Sequence, residues 1–190
     1  SGNSTTVTQT INVADITGPA ISSIPANVTV SCAGLVPPAN TSAVVASDNC
    51  GGPVTVTSTD VTVAGICVNR FTVNRTYKVT DCSGNSSSAT QVITVNDQTG
   101  PVMTPPATQT LNVGAGAGCT VSMPDYRSLV TATDACGGVV TIQQLAPNTP
   151  GSSVLGYGGT RTITFMGTGL CGNTSTTSFA LHLVAATAPN

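Results

Sequence analysis

Charge is what this 190-residue chain has least of. Asp, Glu, Lys and Arg together make up 6% of it, against about 25% in ordinary soluble domains. There is no Glu and no Trp, one lysine (Lys78), one histidine (His182), and 3% aromatics. Each shortage excludes something. A net charge of −2 and an isoelectric point near 4.8 leave no basic footprint for nucleic acid. Without Glu, a glycosidase would need two converging aspartates. A lone histidine in Phe179-Ala180-Leu181-His182-Leu183 falls on the polar side of an alternating strand, so no Ser-His-Asp set can be assembled around it. No Gly-rich phosphate loop joins a strand to a helix. Mean hydropathy is +0.25, yet no unbroken apolar run approaches the ~20 residues of a membrane span. The positive value reflects missing charge. No leader-like segment is visible, and the chain reads as a mature form or an excised piece.

What is present repeats. Gly2-Asn3, Gly84-Asn85 and Gly172-Asn173 each open a Ser/Thr-rich stretch that turns into an alternating apolar strand. These strands run to Asp15-Ile16-Thr17-Gly18-Pro19, Asp97-Gln98-Thr99-Gly100-Pro101 and a worn copy, Ala185-Ala186-Thr187-Ala188-Pro189. A period of roughly 80–90 residues means tandem domains of one kind. Three last strands accompany two domain bodies, so residues 1–18 read as an orphan last strand of a preceding or neighbouring domain. In it Val7, Ile11 and Val13 share one face. The bodies are residues 19–100 and 101–190.

Thr, Ser, Val, Ala and Gly dominate, and β-branched residues suit a pleated, half-buried surface. Strands are predicted at 27–32, 42–46, 54–59, 71–80 and 90–96. In the second body they fall at 108–113, 129–133, 139–145, 160–167 and 178–184. Turn chemistry separates them, including Asn49-Cys50-Gly51-Gly52-Pro53, Ala64-Gly65 and Asp81-Cys82-Ser83-Gly84-Asn85. No helical period appears. The expected fold class is all-β: tandem immunoglobulin-like sandwiches. Phe71, Val73, Tyr77, Val79, Ile163 and Phe165 are the expected core on the two long strands. Domains this small, with small core side chains, gain from covalent staples. Seven cysteines without a CxxC read as disulfides of an oxidising compartment rather than a zinc site.

Four stretches together resemble a known family: Pro25-Ala26-Asn27-Val28-Thr29-Val30, Ala46-Ser47-Asp48-Asn49-Cys50-Gly51, Thr76-Tyr77-Lys78-Val79-Thr80-Asp81-Cys82-Ser83-Gly84-Asn85, and Thr94-Val95-Asn96-Asp97-Gln98-Thr99-Gly100-Pro101. They resemble the hyalin-type (HYR-like) immunoglobulin-like repeats of bacterial, especially Bacteroidota, cell-surface adhesins, including gliding-motility adhesins. Pro124-Asp125-Tyr126, residues 128–134 and Cys136-Gly137 fit the same pattern. The resemblance implies a disulfide-stapled sandwich at the cell surface and says little about a ligand. One family bridge is absent as a unit in both bodies, where Ile24 with Ala89 and Thr104 with Thr177 stand instead of cysteines.

In such a sandwich Cys50 and Cys82 fall in loops at one end, and Cys32 and Cys67 at the other. Cys67 to Cys82 would need a fold-back, since fifteen extended residues span roughly 50 Å and a disulfide allows a Cα separation of about 4.4–6.8 Å. The expected pairs are Cys50–Cys82, Cys32–Cys67 and Cys136–Cys171. Cys119 matches Cys32 without a Cys67 counterpart, and is either a free thiol or a rival partner for Cys136.

The function expected is a non-catalytic structural or adhesive repeat segment of an extracellular surface protein or fibre. Two alternatives stand beside it. One is a self-assembling filament subunit that donates its N-terminal strand. The other is a carbohydrate-binding accessory module, against which stand the absence of Trp and a total of three tyrosines. Expected partners are self or adjacent repeats through strand addition, with surface glycans or other cells as further possibilities. No cofactor is required. Asp15 and Asp97, at the domain junctions, are candidate Ca²⁺ ligands, although Ca²⁺ asks for six to eight oxygens. Asp48, Asp81 and Asp134 sit where an aspartate caps turn amides. Six Asn-X-Ser/Thr sequons, at Asn3, Asn27, Asn40, Asn74, Asn85 and Asn173, matter only in a host that glycosylates them.

Overall fold

The computed structural model describes residues 1–114, 120–155 and 158–185. Among them every extended element is a β-strand, and the helices are three short 3₁₀ turns. Contacts divide the chain into two compact units that interleave in sequence. The first holds residues 1–28, 37–62 and 73–93, and the second holds 29–36, 63–72 and 94–190. The expected spans 19–100 and 101–190 are consecutive, so the two divisions differ.

The first body contributes β1 (Ala20–Ser23), β2 (Val28–Val30), β3 (Val45–Ser47), β4 (Thr55–Cys67), β5 (Arg70–Thr80) and β6 (Ser86–Asn96). The second contributes β7 (Val102–Thr104), β8 (Gln109–Val113), β9 (Thr120–Ser122), β10 (Thr131–Thr133), β11 (Thr141–Gln144), β12 (Ser153–Leu155), β13 (Thr160–Thr168) and β14 (Thr174–Ala185). Sheet order repeats. β1 pairs with β3 as β7 pairs with β10, and the order β2-β6-β5-β4 recurs as β8-β14-β13-β11. β9 and β12 form a further pair. The β14–β8 pairing is parallel, and β13–β14 is a long antiparallel ladder with Ile163 opposite Phe179.

Alternation decides what is buried. In β5, Val73, Arg75, Tyr77 and Val79 point inward. In β13 and β14, Ile163, Phe165, Phe179, Leu181 and Leu183 join Val113, Met123, Tyr126, Val130 and Val154 in one core. Of the expected core, Phe71 is only half-buried. Tyr126 meets Phe179 edge-on at 5.2 Å, a favoured geometry for aromatic quadrupoles. Arg75 occupies an inward position that alternation assigns to an apolar residue. It is 4% exposed and is neutralised by a two-pronged bond to Asp60 at 2.8 Å on each arm. Its remaining arm donates to the Pro37 carbonyl at 2.9 Å.

Several sequence expectations need correction. Ala64-Gly65 is no turn: β4 runs through it to Cys67, and the chain turns at Val68-Asn69. Gly65 is needed for a different reason, since a Cβ there would fall 1.6 Å from the Arg70 carbonyl oxygen. The short strands β1, β7, β9 and β12 lie outside the predicted spans, because three or four residues are too few to show a period. Residues 1–18 carry no strand, and Val7, Ile11 and Val13 are 87%, 74% and 94% exposed. A strand exists only in a ladder, and no strand of the described residues pairs with this segment.

Candidate functional site

The two motifs that recur along the sequence meet in space, and they do so twice. In the first unit the Asn85 side-chain amide donates to the Asp15 carbonyl at 3.1 Å. In the second unit Asn173 donates to the Asp97 carbonyl at 3.0 Å. Gly84 and Gly172, just before each asparagine, have φ of +90° and +78°, a region glycine enters without penalty. Gly18 and Gly100 are needed for closeness. A Cβ would stand 3.0 Å from the Ser86 oxygen in the first case and 2.4 Å from the Thr174 oxygen in the second. Pro19 and Pro101, which follow, are fully buried. Asp-x-Thr-Gly-Pro therefore locks the incoming chain against the start of β6 or β14.

The scarce acids are structural. Of seven acidic residues, six use Oδ1 to accept the amide two residues on: Asp15 from Thr17, Asp48 from Cys50, Asp81 from Ser83, Asp97 from Thr99, Asp125 from Arg127 and Asp134 from Cys136. The seventh, Asp60, holds Arg75. Burial opposes ionisation of Asp81, but the Asn85 side chain and the amides of Asn85, Ser83 and Gly84 outweigh it and hold its carboxyl below the usual range.

Each junction also gathers carboxylates. Ligand atoms of Asp15, Asp48 and Cys50 lie within 4.8 Å of one another, as do those of Asp97, Asp134 and Cys136. Oδ2 of Asp15, Asp48 and Asp134 is buried without a hydrogen-bonding partner, an expensive state for a carboxylate oxygen. The expected candidates Asp15 and Asp97 are thus joined by Asp48 and Asp134, which the sequence suggested only as turn caps. Desolvation, then a hydrogen bond to the Asp15 side chain, then the negative charge of Asp15, Asp48 and Asp81 hold the Cys50 thiol above its usual range.

The second junction has parts that the first lacks. Arg70 Nε donates to the Asp97 carbonyl at 2.8 Å, and its Nη2 donates to Asn173 Oδ1. The Asp97 amide donates to the Asn69 carbonyl at 2.9 Å, and the Ala33 amide donates to Asn69 Oδ1 at 2.8 Å. Two disulfides complete it, Cys32–Cys136 and Cys67–Cys171, with Cα separations of 5.0 and 5.4 Å and the same sequence separation of 104.

This pairing replaces the expected Cys32–Cys67 and Cys136–Cys171, and leaves Cys50 and Cys82 as exposed free thiols. The expectation rested on each bridge closing within one repeat. In the structure Cys32 and Cys67 both pack with residues 94–190, so the nearest sulfurs belong to the next repeat. Cys119 and Tyr157 lie outside the described residues. His182 is exposed, as its strand parity implied, and its Nδ1 is 2.9 Å from Thr160 Oγ1. A cavity of about 310 Å³ beside Gly65, Phe71 and Val95 contains one charged residue, Arg70, already committed to Asp97 and Asn173. Nothing in it resembles an acid–base pair.

Residues 20–95 match the family of HYR-like domains with 4 cysteines. The matched segment contains four cysteines, Cys32, Cys50, Cys67 and Cys82. No curated relative matches the chain. Solved structures with a similar course include the human Desmocollin-1 ectodomain (14% identity, TM-score 0.30, 88% of this chain and 41% of that one). Human Mucin-like Protocadherin EC1-2 matches at 13% identity and TM-score 0.33, over 88% and 98% of the two chains. Human CDH23 EC21-23 matches at 14% and 0.34, over 86% and 70%. The chain thus spans well under half of the desmocollin ectodomain. No helix among the described residues is long and apolar enough to cross a membrane.

Proposed function

We propose that this chain is a non-catalytic structural and adhesive repeat segment of an extracellular surface protein or fibre. The duplicated junction carries the reading: the same aspartates, glycines, prolines and asparagine build one linker lock twice, at Asp15 and at Asp97. Disulfides favour an oxidising, extracellular setting. The HYR-like match over residues 20–95 supports a repeat of that class. A bacterial surface, and Bacteroidota adhesins in particular, is the context we assign from the motif resemblance.

Single-molecule pulling from the termini tests the structural role. With either bridge closed, the covalent path skips the 104-residue separation, so reduction should release about 340–370 Å of contour length at ~3.3–3.6 Å per residue. The same extension before and after reduction would refute a stapled segment that carries tension. Residues 1–18 fit a last-strand position completed by an adjacent repeat or another copy, favoured by the exposure of Val7, Ile11 and Val13. We favour an adjacent repeat over donation between identical copies, because β14 already fills that place in the second body.

A second reading concerns Ca²⁺. Partnerless buried oxygens on Asp15, Asp48 and Asp134 are what a hard cation would satisfy, with the remaining oxygen positions left to backbone and water. Calcium at a hundredfold excess over its dissociation constant should then add about 2.7 kcal/mol of stability, and Asp48→Asn should reduce the gain. Equal melting in calcium and in chelator would remove this reading. No comparable feature among the described residues favours a glycan-binding role.

A further inference from the structure

The first junction is an incomplete copy of the second. Cys50 corresponds to Cys136, following Asp48 and Asp134 respectively, and Cys82 corresponds to Cys171 beside the Gly-Asn turn. Cys136 and Cys171 do not bond to each other. Each bonds to a cysteine 104 residues earlier. Cys50 and Cys82 are exposed and free. Asn85 grips the Asp15 carbonyl as Asn173 grips that of Asp97, yet its Oδ1 has no counterpart of Arg70. Two sulfurs, one guanidinium and one asparagine backbone are therefore missing from the same place.

We infer that Cys50 and Cys82 form a two-point covalent docking surface for a preceding HYR-like repeat whose far end carries Cys32- and Cys67-type cysteines and an Asn-Arg pair. That partner is recognised by chemistry: Cys67-Val68-Asn69-Arg70 is the sequence that occupies the equivalent place at Asp97. For each bond two thiols lose two protons and two electrons to a small-molecule disulfide, which is reduced to two thiols. The inference rests on the tandem-repeat reading above. A second copy of this chain is a poorer partner, because its second body has Cys119 but no cysteine matching Cys67.

The test is a tandem duplication in register: residues 1–96 joined to residues 15–190, refolded with a glutathione redox pair. This adds four cysteines. The expected result is no increase in titratable thiols over the parent, with mass mapping linking the added Cys32 and Cys67 to the next Cys50 and Cys82. Changing the added Cys32 and Cys67 to serine should raise the count by two. A folded duplication in which Cys50 bonds to Cys82, or in which the four thiols stay free, overturns the docking surface and leaves the repeat reading standing. An added repeat that stays unfolded by circular dichroism overturns both. Disulfide-linked dimers of the parent through Cys119 would assign the surface to a second copy and also overturn the inference.

Discussion

Removing Cys67–Cys171 tests both the pairing and its weight. With Cys32–Cys136 intact, the second bridge closes a ring made of two arms, Cys32 to Cys67 and Cys136 to Cys171, each of 35 residues (67−32 and 171−136). A loop of about 70 residues gives a chain-entropy ceiling of about 4.4 kcal/mol, and typical bridges deliver about 2–4. The double variant Cys67→Ser, Cys171→Ser should therefore lose about 2–4 kcal/mol in urea unfolding, or roughly 2–4 °C of Tm for each kcal/mol. Burial of the neighbouring core is unchanged, so the urea m-value of the folded state should shift only through a less compact unfolded chain.

Trypsin makes the pairing itself readable, because the five basic residues separate the cysteines. Peptide 1–70 holds Cys32, Cys50 and Cys67, peptide 79–127 holds Cys82 and Cys119, peptide 128–161 holds Cys136, and peptide 162–190 holds Cys171. Without reduction, 1–70 should migrate with both 128–161 and 162–190. The double variant should retain only the link from 1–70 to 128–161. Recovery of 1–70 with 79–127, together with 128–161 joined to 162–190, would refute the bridges and restore pairing within each repeat.

Glycine closeness gives a graded comparison: Gly100→Ala should cost about 1–3 kcal/mol, since its Cβ would meet backbone at 2.4 Å, and Gly18→Ala less, at 3.0 Å; the reverse order in urea unfolding would contradict the lock. The Arg75 hydrogen bond, which outweighs partial desolvation, holds the Asp60 carboxyl below its ordinary 3.8. Its contribution is thus complete above about pH 4 and lost as pH falls through the lower folded value, so Asp60→Asn should flatten the acid limb of the stability curve, and an unchanged limb would reject the pair's role. His182→Ala should leave melting and any adhesion unchanged, because the ring is exposed and meets Thr160. Deleting residues 1–13 should leave the melting temperature of the chain unaltered, while a clear drop would mean that Val7, Ile11 and Val13 pack in solution.

The fold class was legible because it rests on period two. β5 and β13 bury alternate residues, and that signal survives in a single sequence over nine or more positions. It fails in strands such as β9, where three residues leave no period to read. It also fails at Arg75, an inward charge that is tolerable only because Asp60 arrives from β4, fifteen residues away. Gly65 was misread for a related reason. A glycine that breaks a strand and a glycine that lets β4 crowd the Arg70 carbonyl look alike in sequence, and only the neighbour distinguishes them.

The junction was half legible. Repetition exposed Gly-Asn and Asp-x-Thr-Gly-Pro as a linked pair, and the spacing of Asp15 and Asp97 marked them as boundary residues. Their purpose depended on partners some seventy to eighty residues away, Asn85 for Asp15 and Asn173 for Asp97, which no local pattern encodes. The cysteines show the same limit more sharply. Topology separates the two ends of a sandwich, which argues against Cys67–Cys82, but it cannot distinguish a bridge at one end of a repeat from a bridge to the next repeat. In a tandem array both choices place cysteine near cysteine. What discriminates them is Arg70 and Asn69, which follow Cys67 directly and engage Asp97 and Asn173. A residue pair that grips the following junction draws Cys67 to that junction as well, and the sulfur of Cys171 is the one it meets there.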